Sequence, residues 1–495
     1  MAAFSLRNII IAVVLAKAFH NLANAPTARP FICALTNGLV ACPTFQYSGH
    51  VSPGWEPLVE EIKINFEQGY EIGNSMTVMH KGKTVVDITC GYEDNAFTTK
   101  YKKDTIQLSF SSTKVWTAIA MAMLVDRELL SYDEPVALYW PEFAQNGKEK
   151  VTVGDLMSHA GGVHGVSKPI DLEVMLRDQS NHENTELSDI LAATEMDKRT
   201  WRQNGGSQGY HGVTRGLYAN EIMKRVDPKH RDLNQFMQEE IVEPMGLDFR
   251  IGLLGVDESV RKRVGNMYEQ PWWKVYFGFI PRMLIPRHIW SPMFSDIFLS
   301  ADEVQFFLNF PTEGTVANKA FMKVWGNGLP GEADAPAAIV DYKKKNGWQN
   351  TISGSTHGFF KSDSVARMGQ VMVNGGTDPI TGTKLMSPET VKQASKLFPI
   401  GNDNCMGIPI SYSQGGFGLA HNGAKQVPWA NVGYDDFELG NKCFGWGGAG
   451  GSIFEWCPDQ ELSFGYVMNY YAPHILDWRA PAYLKRAYII AQGMK

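Results

Sequence analysis

The 495-residue chain lacks most of the features that would assign it to a specialised class. It has no long block of like charge, no low-complexity tract and no internal repeat, and its formal net charge is -6 with 20% charged residues. That balance excludes a nucleic-acid binder working through a basic surface, which needs clustered lysine and arginine to neutralise phosphates. It has no Asn-x-Ser/Thr acceptor, so glycosylation says nothing about its compartment. No cysteine pair has the C-x-x-C spacing of redox or zinc sites, and no histidine cluster has metal-ligand spacing, so neither a metal nor an organic cofactor is expected. No apolar run is long enough to span a bilayer.

Acidic residues are also missing before Glu56, and there the sequence begins to speak. Residues 1–25 carry a basic residue at Arg7, an apolar stretch from Ile9 to Ala16 and small-residue sites at Ala23/Ala25, the order of a secretory signal. A mitochondrial presequence is the alternative, although such segments are richer in arginine. Secretion suits the six cysteines, Cys33, Cys42, Cys90, Cys405, Cys443 and Cys457, an even number compatible with three disulfides. Six reduced, mostly buried thiols is the reading if the leader is not secretory.

Residues 26–52 read as a loop-like extension, and 53–495 as the folded domain. "GWEPLVEEIKINFEQGY" has helical spacing, and "SMTVMHKGKTVVDITCGYED" gives two β-branched runs around a hairpin turn. From Ser111 to about Gly369 the pattern is mostly helical, a helical subdomain at roughly 112–370. Strand-like runs return at "KCFGW", "SIFEWC" and "LSFGYVMN", and the segment after Ala480 is helical again. Strands at both ends around a helical insertion predict an α+β fold, one sheet built from distant segments with helices beside it. The regular alternation of a doubly wound sheet is absent.

The chemistry centres on "SFSSTKVWTAIAMAML". Ser111 and Lys114 stand three apart at a helix start, so the amine reaches the hydroxyl, and burial of the apolar run behind lets the lysine lose its proton and act as a base. The same Ser-x-x-Lys pattern at Ser259–Lys262 lies in the charged segment "DESVRKRV", where an exposed lysine keeps an ordinary pKa. The stretch "TIQLSFSSTKVWTAIAMAMLVDRELLSYDEPVALYWPEF", followed by "VTVGDLMSHAGGV", resembles the serine β-lactamase and penicillin-binding protein superfamily. It is most similar to the class C-like branch that includes family VIII carboxylesterases. The resemblance runs from about Gly49 to Asn469 and implies a mainly antiparallel sheet flanked by helices, with the site between sheet and helical subdomain.

In that family a second motif is a loop tyrosine. Tyr210 in "GGSQGYHG" fits the esterase form, whereas Tyr218 of Tyr218-Ala219-Asn220 matches Tyr-x-Asn but falls inside a helix, as a packing aromatic would. The third motif, usually Lys or His before a small residue and glycine on an edge strand, corresponds to Trp446-Gly447-Gly448 in "FGWGGAGGSIFEW", while His421-Asn422-Gly423 keeps a basic residue but reads as loop. The resemblance then implies catalysis by Ser111, Lys114 and Tyr210, and an oxyanion hole from the amides of Ser111 and Ala449. It implies a substrate wall from Trp446, Gly447, Gly448 and His211. Tryptophan cannot hold a carboxylate as a cation does, so a small uncharged ester is expected rather than a β-lactam. A peptidase or amidase, and a non-catalytic binding protein of the same fold, are the alternatives. His159, His164 and His357 read as loop or core residues. Residues 271–294, aromatic, basic and free of acids, suit packing of the helical insertion, a substrate mouth or contact with a membrane surface.

Overall fold

The computed structural model describes residues 13–15, 17, 28–36, 38–180, 184–269, 313–324, 339–340, 347–407, 409–418, 443–471, 477 and 479–494. Nearly all of the leader, residues 271–294 and His421–Gly423 lie outside them.

Tyr47–Val51 (β1) pairs antiparallel with Lys83–Gly91, so the sheet begins inside the stretch read as a loop-like extension. Four of the five β1 residues are exposed, and such an edge strand carries no apolar alternation for sequence to reveal. Glu56–Gln68 (α1) follows, with Pro57 in its first turn and Gly69 at φ 83° ending it. Pro fits there because the first-turn N–H groups have no partner, and glycine takes the left-handed cap without a Cβ clash. Leu58, Ile62 and Phe66 recur at helical spacing and are buried.

Gly73–His80 (β2) and Lys83–Gly91 (β3) form the expected hairpin. Lys81 and Gly82 both have positive φ, 51° and 75°, the two-residue turn whose twist matches the flanking strands. Thr113–Asp126 (α2), Thr214–Val226 (α3) and Ser362–Val373 (α4) belong to the insertion. Phe444–Gly447 (β4), Ile453–Cys457 (β5) and Leu462–Met468 (β6) return to the sheet, and Arg479–Gly493 (α5) closes the chain. The strand order is β1-β3-β2-β6-β5-β4, and every pairing is antiparallel. The β2–β6 pairing, Met76 opposite Tyr466, joins the two ends of the chain.

One face of the sheet is covered by α1 and α5, whose Leu58, Ile62, Tyr483 and Leu484 bury Val78, Ile88, Phe464 and Tyr466. On the other face α4 lies very close: a Cβ on Gly465 would sit 2.3 Å from the Ser362 carbonyl, and one on Gly369 2.7 Å from Ser463 Cβ. Glycine is required where helix and strand backbones approach this closely. Beyond α4, α2, buried from Thr113 to Leu124, runs through the largest apolar cluster, with Trp116 stacked on Phe249 at a centroid distance of 4.0 Å. Each such side chain contributes about 1.5–3 kcal/mol of transfer free energy, which fixes the start of α2 and hence Ser111. The insertion also holds strand pieces the apolar pattern does not show, Phe249–Ile251 and Gly358–Phe360, paired beside Gln107–Leu108.

Two disulfides form rather than three, Cys33–Cys42 and Cys443–Cys457. Cys90 and Cys405 are free and buried in different apolar clusters, one under the sheet and one around Tyr210, which is why they do not meet. Among the described residues no helix is long and apolar enough to cross a membrane.

Candidate active site

The four hydroxyl residues ahead of α2 have different occupations. Ser109 Oγ donates to the Gln107 carbonyl, and Thr113 Oγ1 to that of Phe110. Ser112 Oγ is buried against Ser452, whose own hydroxyl reaches the Ser109 carbonyl at 2.7 Å. Ser111 is the only one of the four not fully buried, and its Oγ lies 3.3 Å from Lys114 Nζ. Phe110, just before it, has φ 44°, unusual for a bulky residue, so the nucleophile candidate follows a strained position.

Lys114 is buried, and its Nζ also donates to the carbonyls of Gly212, at 2.6 Å, and Ser355, at 2.9 Å. Nζ thus has three oxygen neighbours, two carbonyls and the Ser111 hydroxyl. Burial first, and the Arg215 cation second, hold the Lys114 pKa well below the usual lysine range. The other Ser-x-x-Lys pattern has none of this, since Ser259 and Lys262 are exposed.

Tyr210 and Tyr218 part company. Lys114 Nζ lies over the Tyr210 ring, 4.8 Å from its centroid, the phenol oxygen accepts from the Trp446 indole N–H at 3.1 Å, and Ser111 is close enough to lower the phenol's pKa. Tyr218 packs in the helical core against Trp140 and Phe143, and its hydroxyl donates to the Leu191 carbonyl at 3.0 Å. Burial pushes the Tyr210 phenol far above its ordinary pKa, so it is protonated at neutral pH.

Trp446 lies on β4, the sheet's edge, and its ring stacks on Tyr210 with centroids 5.5 Å apart, with the Tyr412 ring 5.4 Å away. Val316, Ala317, Ala320 and Ile410 complete the apolar cluster around Tyr210. After β4 the chain turns tightly: a Cβ on Gly448 would sit 2.2 Å from the Ser109 carbonyl, so only glycine lets this turn close on the nucleophile's loop. Among the described residues, neither the Ser111 nor the Ala449 N–H finds a backbone acceptor. Gly447 is exposed beside them.

His211 departs from the expected substrate wall. It is fully buried, its Nε2 accepts from the Val163 N–H at 3.2 Å, and its Nδ1 donates to the Gly209 carbonyl at 2.6 Å. Both ring nitrogens are spent on backbone, leaving nothing for a substrate. His159, His164 and His357 are likewise buried, with hydrogen bonds to the His211 N–H, Thr200 and Thr351.

Three supporting residues escape sequence reasoning. Asp403, fully buried, accepts from the backbone N–H of Tyr210, Cys405 and Met406 and so holds the tyrosine loop. Ser355 supplies a carbonyl to Lys114, and its Oγ accepts from Gly216. Arg215 donates to the carbonyls of Lys114, Met157 and Gly416. The one signal for it was an arginine inside an otherwise uncharged, buried helical turn.

Relatives share this architecture. The chain is 26% identical to "Esterase/beta-lactamase LipL" of Mycobacterium tuberculosis over 404 residues, 80% of this chain and 77% of LipL. A penicillin-binding protein homologue from Caulobacter crescentus superposes with TM-score 0.66 at 26% identity, over 90% of this chain and 100% of that one. A family VIII carboxylesterase superposes with TM-score 0.68 at 23% identity, again over 90% and 100%. The Beta-lactamase family model matches residues 62–484, which takes in every element of the sheet but β1 together with Ser111, Lys114, Tyr210 and Trp446, and by that match the chain belongs to the Beta-lactamase family.

Proposed function

We propose that the protein is a serine hydrolase that forms an acyl-enzyme, a carboxylesterase for small uncharged esters. The observation that carries this is the trio around Lys114 Nζ: two carbonyls and the Ser111 hydroxyl, with no carboxylate among the described residues. A lysine so placed is a neutral base ready for one proton.

Ser111 Oγ attacks the ester carbonyl carbon as its proton passes to Lys114 Nζ. The carbonyl oxygen takes the negative charge, and the amides of Ser111 and Ala449, which have no backbone acceptor, receive it. Tyr210, protonated and in contact with Ser111, hands a proton to the departing alkoxide and is resupplied from Lys114. Water then hydrolyses the acyl-enzyme.

Substrate class rests on Trp446, Gly447 and Gly448. The indole stands where a cation would pair with a carboxylate, and the surrounding Tyr412, Val316 and Ile410 are apolar. These favour an uncharged ester with an apolar acyl group over a β-lactam, a peptide or a D-amino-acid amide. The two disulfides suit an oxidising compartment, in keeping with a secretory leader at 1–25. The helices between residues 112 and 370 form the subdomain that supplies Tyr210 and the Ser355 carbonyl.

A fluorophosphonate probe tests the mechanism: wild type is labelled and Ser111→Ala is not. Equal labelling of both, or none of wild type, rules it out. A panel of acyl esters, D-amino-acid amides, small peptides and a chromogenic β-lactam then tests the substrate class. Turnover of the amides, peptides or β-lactam above that of the esters overturns the ester reading.

A further inference from the structure

Arg215 is a buried cation whose partners are all neutral. It is 1% exposed and donates only to the carbonyls of Lys114, Met157 and Gly416, with its Nη1 3.4 Å from His159 Nε2. Among the described residues no carboxylate pairs with it, and the ionisable groups Tyr210, Tyr412 and Tyr132 that it interacts with are phenols whose pKa burial raises, so they supply no counter-charge at neutral pH. The nearby acid, Asp403, is spent on the amides of Tyr210, Cys405 and Met406. Leaving a buried guanidinium without a counter-charge is costly, and a helix pinned for stability alone has cheaper means. Burial brings its pKa down only to about 10, so it stays charged at neutral pH.

Its position gives the cost a use. The guanidinium donates to the backbone carbonyl of Lys114, so the permanent charge is fixed against the first turn of the helix whose Lys114 amine lies beside Ser111. Like charges in a water-poor interior repel strongly, and the one able to shed a proton is the lysine. Resting on the serine-hydrolase reading, we infer that Arg215 is a positioning residue that holds Lys114 in its neutral, proton-accepting form by occupying the interior with a fixed positive charge.

The other groups facing Lys114 do not substitute for it. Tyr210 under the amine and Cys405 on the 403–406 turn are neutral, because burial raises both pKa values. His159 and His211, from the loops before α3, are buried and uncharged at neutral pH, with burial lowering both. Arg215 is thus the fixed charge on the base.

The test is the pH dependence of acylation, read as the burst of p-nitrophenol from p-nitrophenyl acetate by the full-length protein. In wild type the burst rate falls on the acid side as Lys114 takes up a proton. Arg215→Met removes the repelling charge, raises the lysine pKa and moves this acid limb to higher pH. A move of one unit is an approximately tenfold slower burst at any pH below the wild-type midpoint. A limb unmoved in Arg215→Met, whatever the loss in maximal rate, overturns the inference, because loss of packing lowers the rate without moving its pH midpoint. If Arg215→Met does not fold, His159→Asp keeps the guanidinium and gives it a counter-charge. That variant also shifts the limb upward, and an unshifted limb there is equally fatal. Absence of any burst and of Ser111 labelling in wild type instead fails the serine-hydrolase reading, so the two failures are distinguishable.

Discussion

The Trp446 indole N–H points at the phenol oxygen of Tyr210, 3.1 Å away. Because the indole is only a donor, the phenol oxygen accepts there, and its single proton is left to share with Ser111. On the proposed mechanism Trp446 orients the proton carrier and at the same time replaces the cation that would bind a carboxylate. Trp446→Lys is expected to reverse the second property: ester turnover falls about tenfold with loss of the oriented donor, and acylation by a β-lactam bearing a carboxylate rises. Parallel assays of both substrates on wild type and variant check this; an unchanged ester-to-lactam ratio contradicts it.

The two tyrosines separate activity from stability. Tyr210→Phe removes the shared proton and is expected to lower the acylation rate roughly 10²–10⁴-fold with little change in unfolding. Tyr218→Phe removes a buried hydrogen bond to Leu191 and costs about 1 kcal/mol, leaving turnover within about twofold. Denaturant unfolding and burst kinetics on both variants decide the matter, and the opposite pattern would reassign the motif.

Why Tyr210 was legible and its neighbour His211 was not is a matter of reach. Ser111 and Lys114 are joined by helix spacing alone, and a tyrosine in a glycine-rich loop ahead of a helix is a local signal too. Adjacent loop residues point opposite ways, so His211 faces the core and binds Gly209 and Val163 while Tyr210 faces Ser111. Asp403, Ser355 and Arg215 act through contacts up to 241 residues away, such as Lys114 to Ser355, that no local pattern encodes. The β2–β3 hairpin and the late strands β4–β6 announce themselves by β-branched and aromatic runs. Strand β1 does not, being exposed, and the short strands inside the insertion were hidden among apolar helices.

Lys114 should be unfavourable for stability, and the sign follows from its depressed pKa. Between the folded value and the ordinary 10.4 or so of the unfolded chain, the unfolded state holds a proton that the folded state does not, so stability rises with pH across that window. Lys114→Met is therefore expected to abolish acylation while raising the unfolding midpoint at neutral pH, an advantage that shrinks as pH approaches about 10. The carbonyls of Gly212 and Ser355 lose a donor, a smaller penalty because carbonyls tolerate it better than N–H groups. A lower midpoint than wild type at neutral pH would contradict this.

Acid should weaken the fold well before its carboxylates are protonated. Burial lowers His164 and His357 to about 4 and His211 to about 3. The unfolded chain protonates each near 6.5, so stability that is full above that pH is lost as pH falls toward the folded values, at about 1.4 kcal/mol per unit for each histidine. Urea titrations at about pH 7, 6 and 5 are expected to show a falling midpoint, and a flat profile rules the effect out.

The strand order also dictates when the chemistry can exist. Ser111 and Lys114 are made early in the chain, yet Trp446 and Ala449 stand on a strand and turn that join the sheet only through β5 and β6, and β6 seats against β2 under α5. A chain emerging from synthesis therefore carries the proposed nucleophile for more than three hundred residues without the proposed place to stabilise an oxyanion. On the proposed mechanism the centre switches on with closure of the sheet, and acylation of Ser111 would be a readout of a finished molecule, one that a C-terminal truncation would silence without touching a proposed catalytic group.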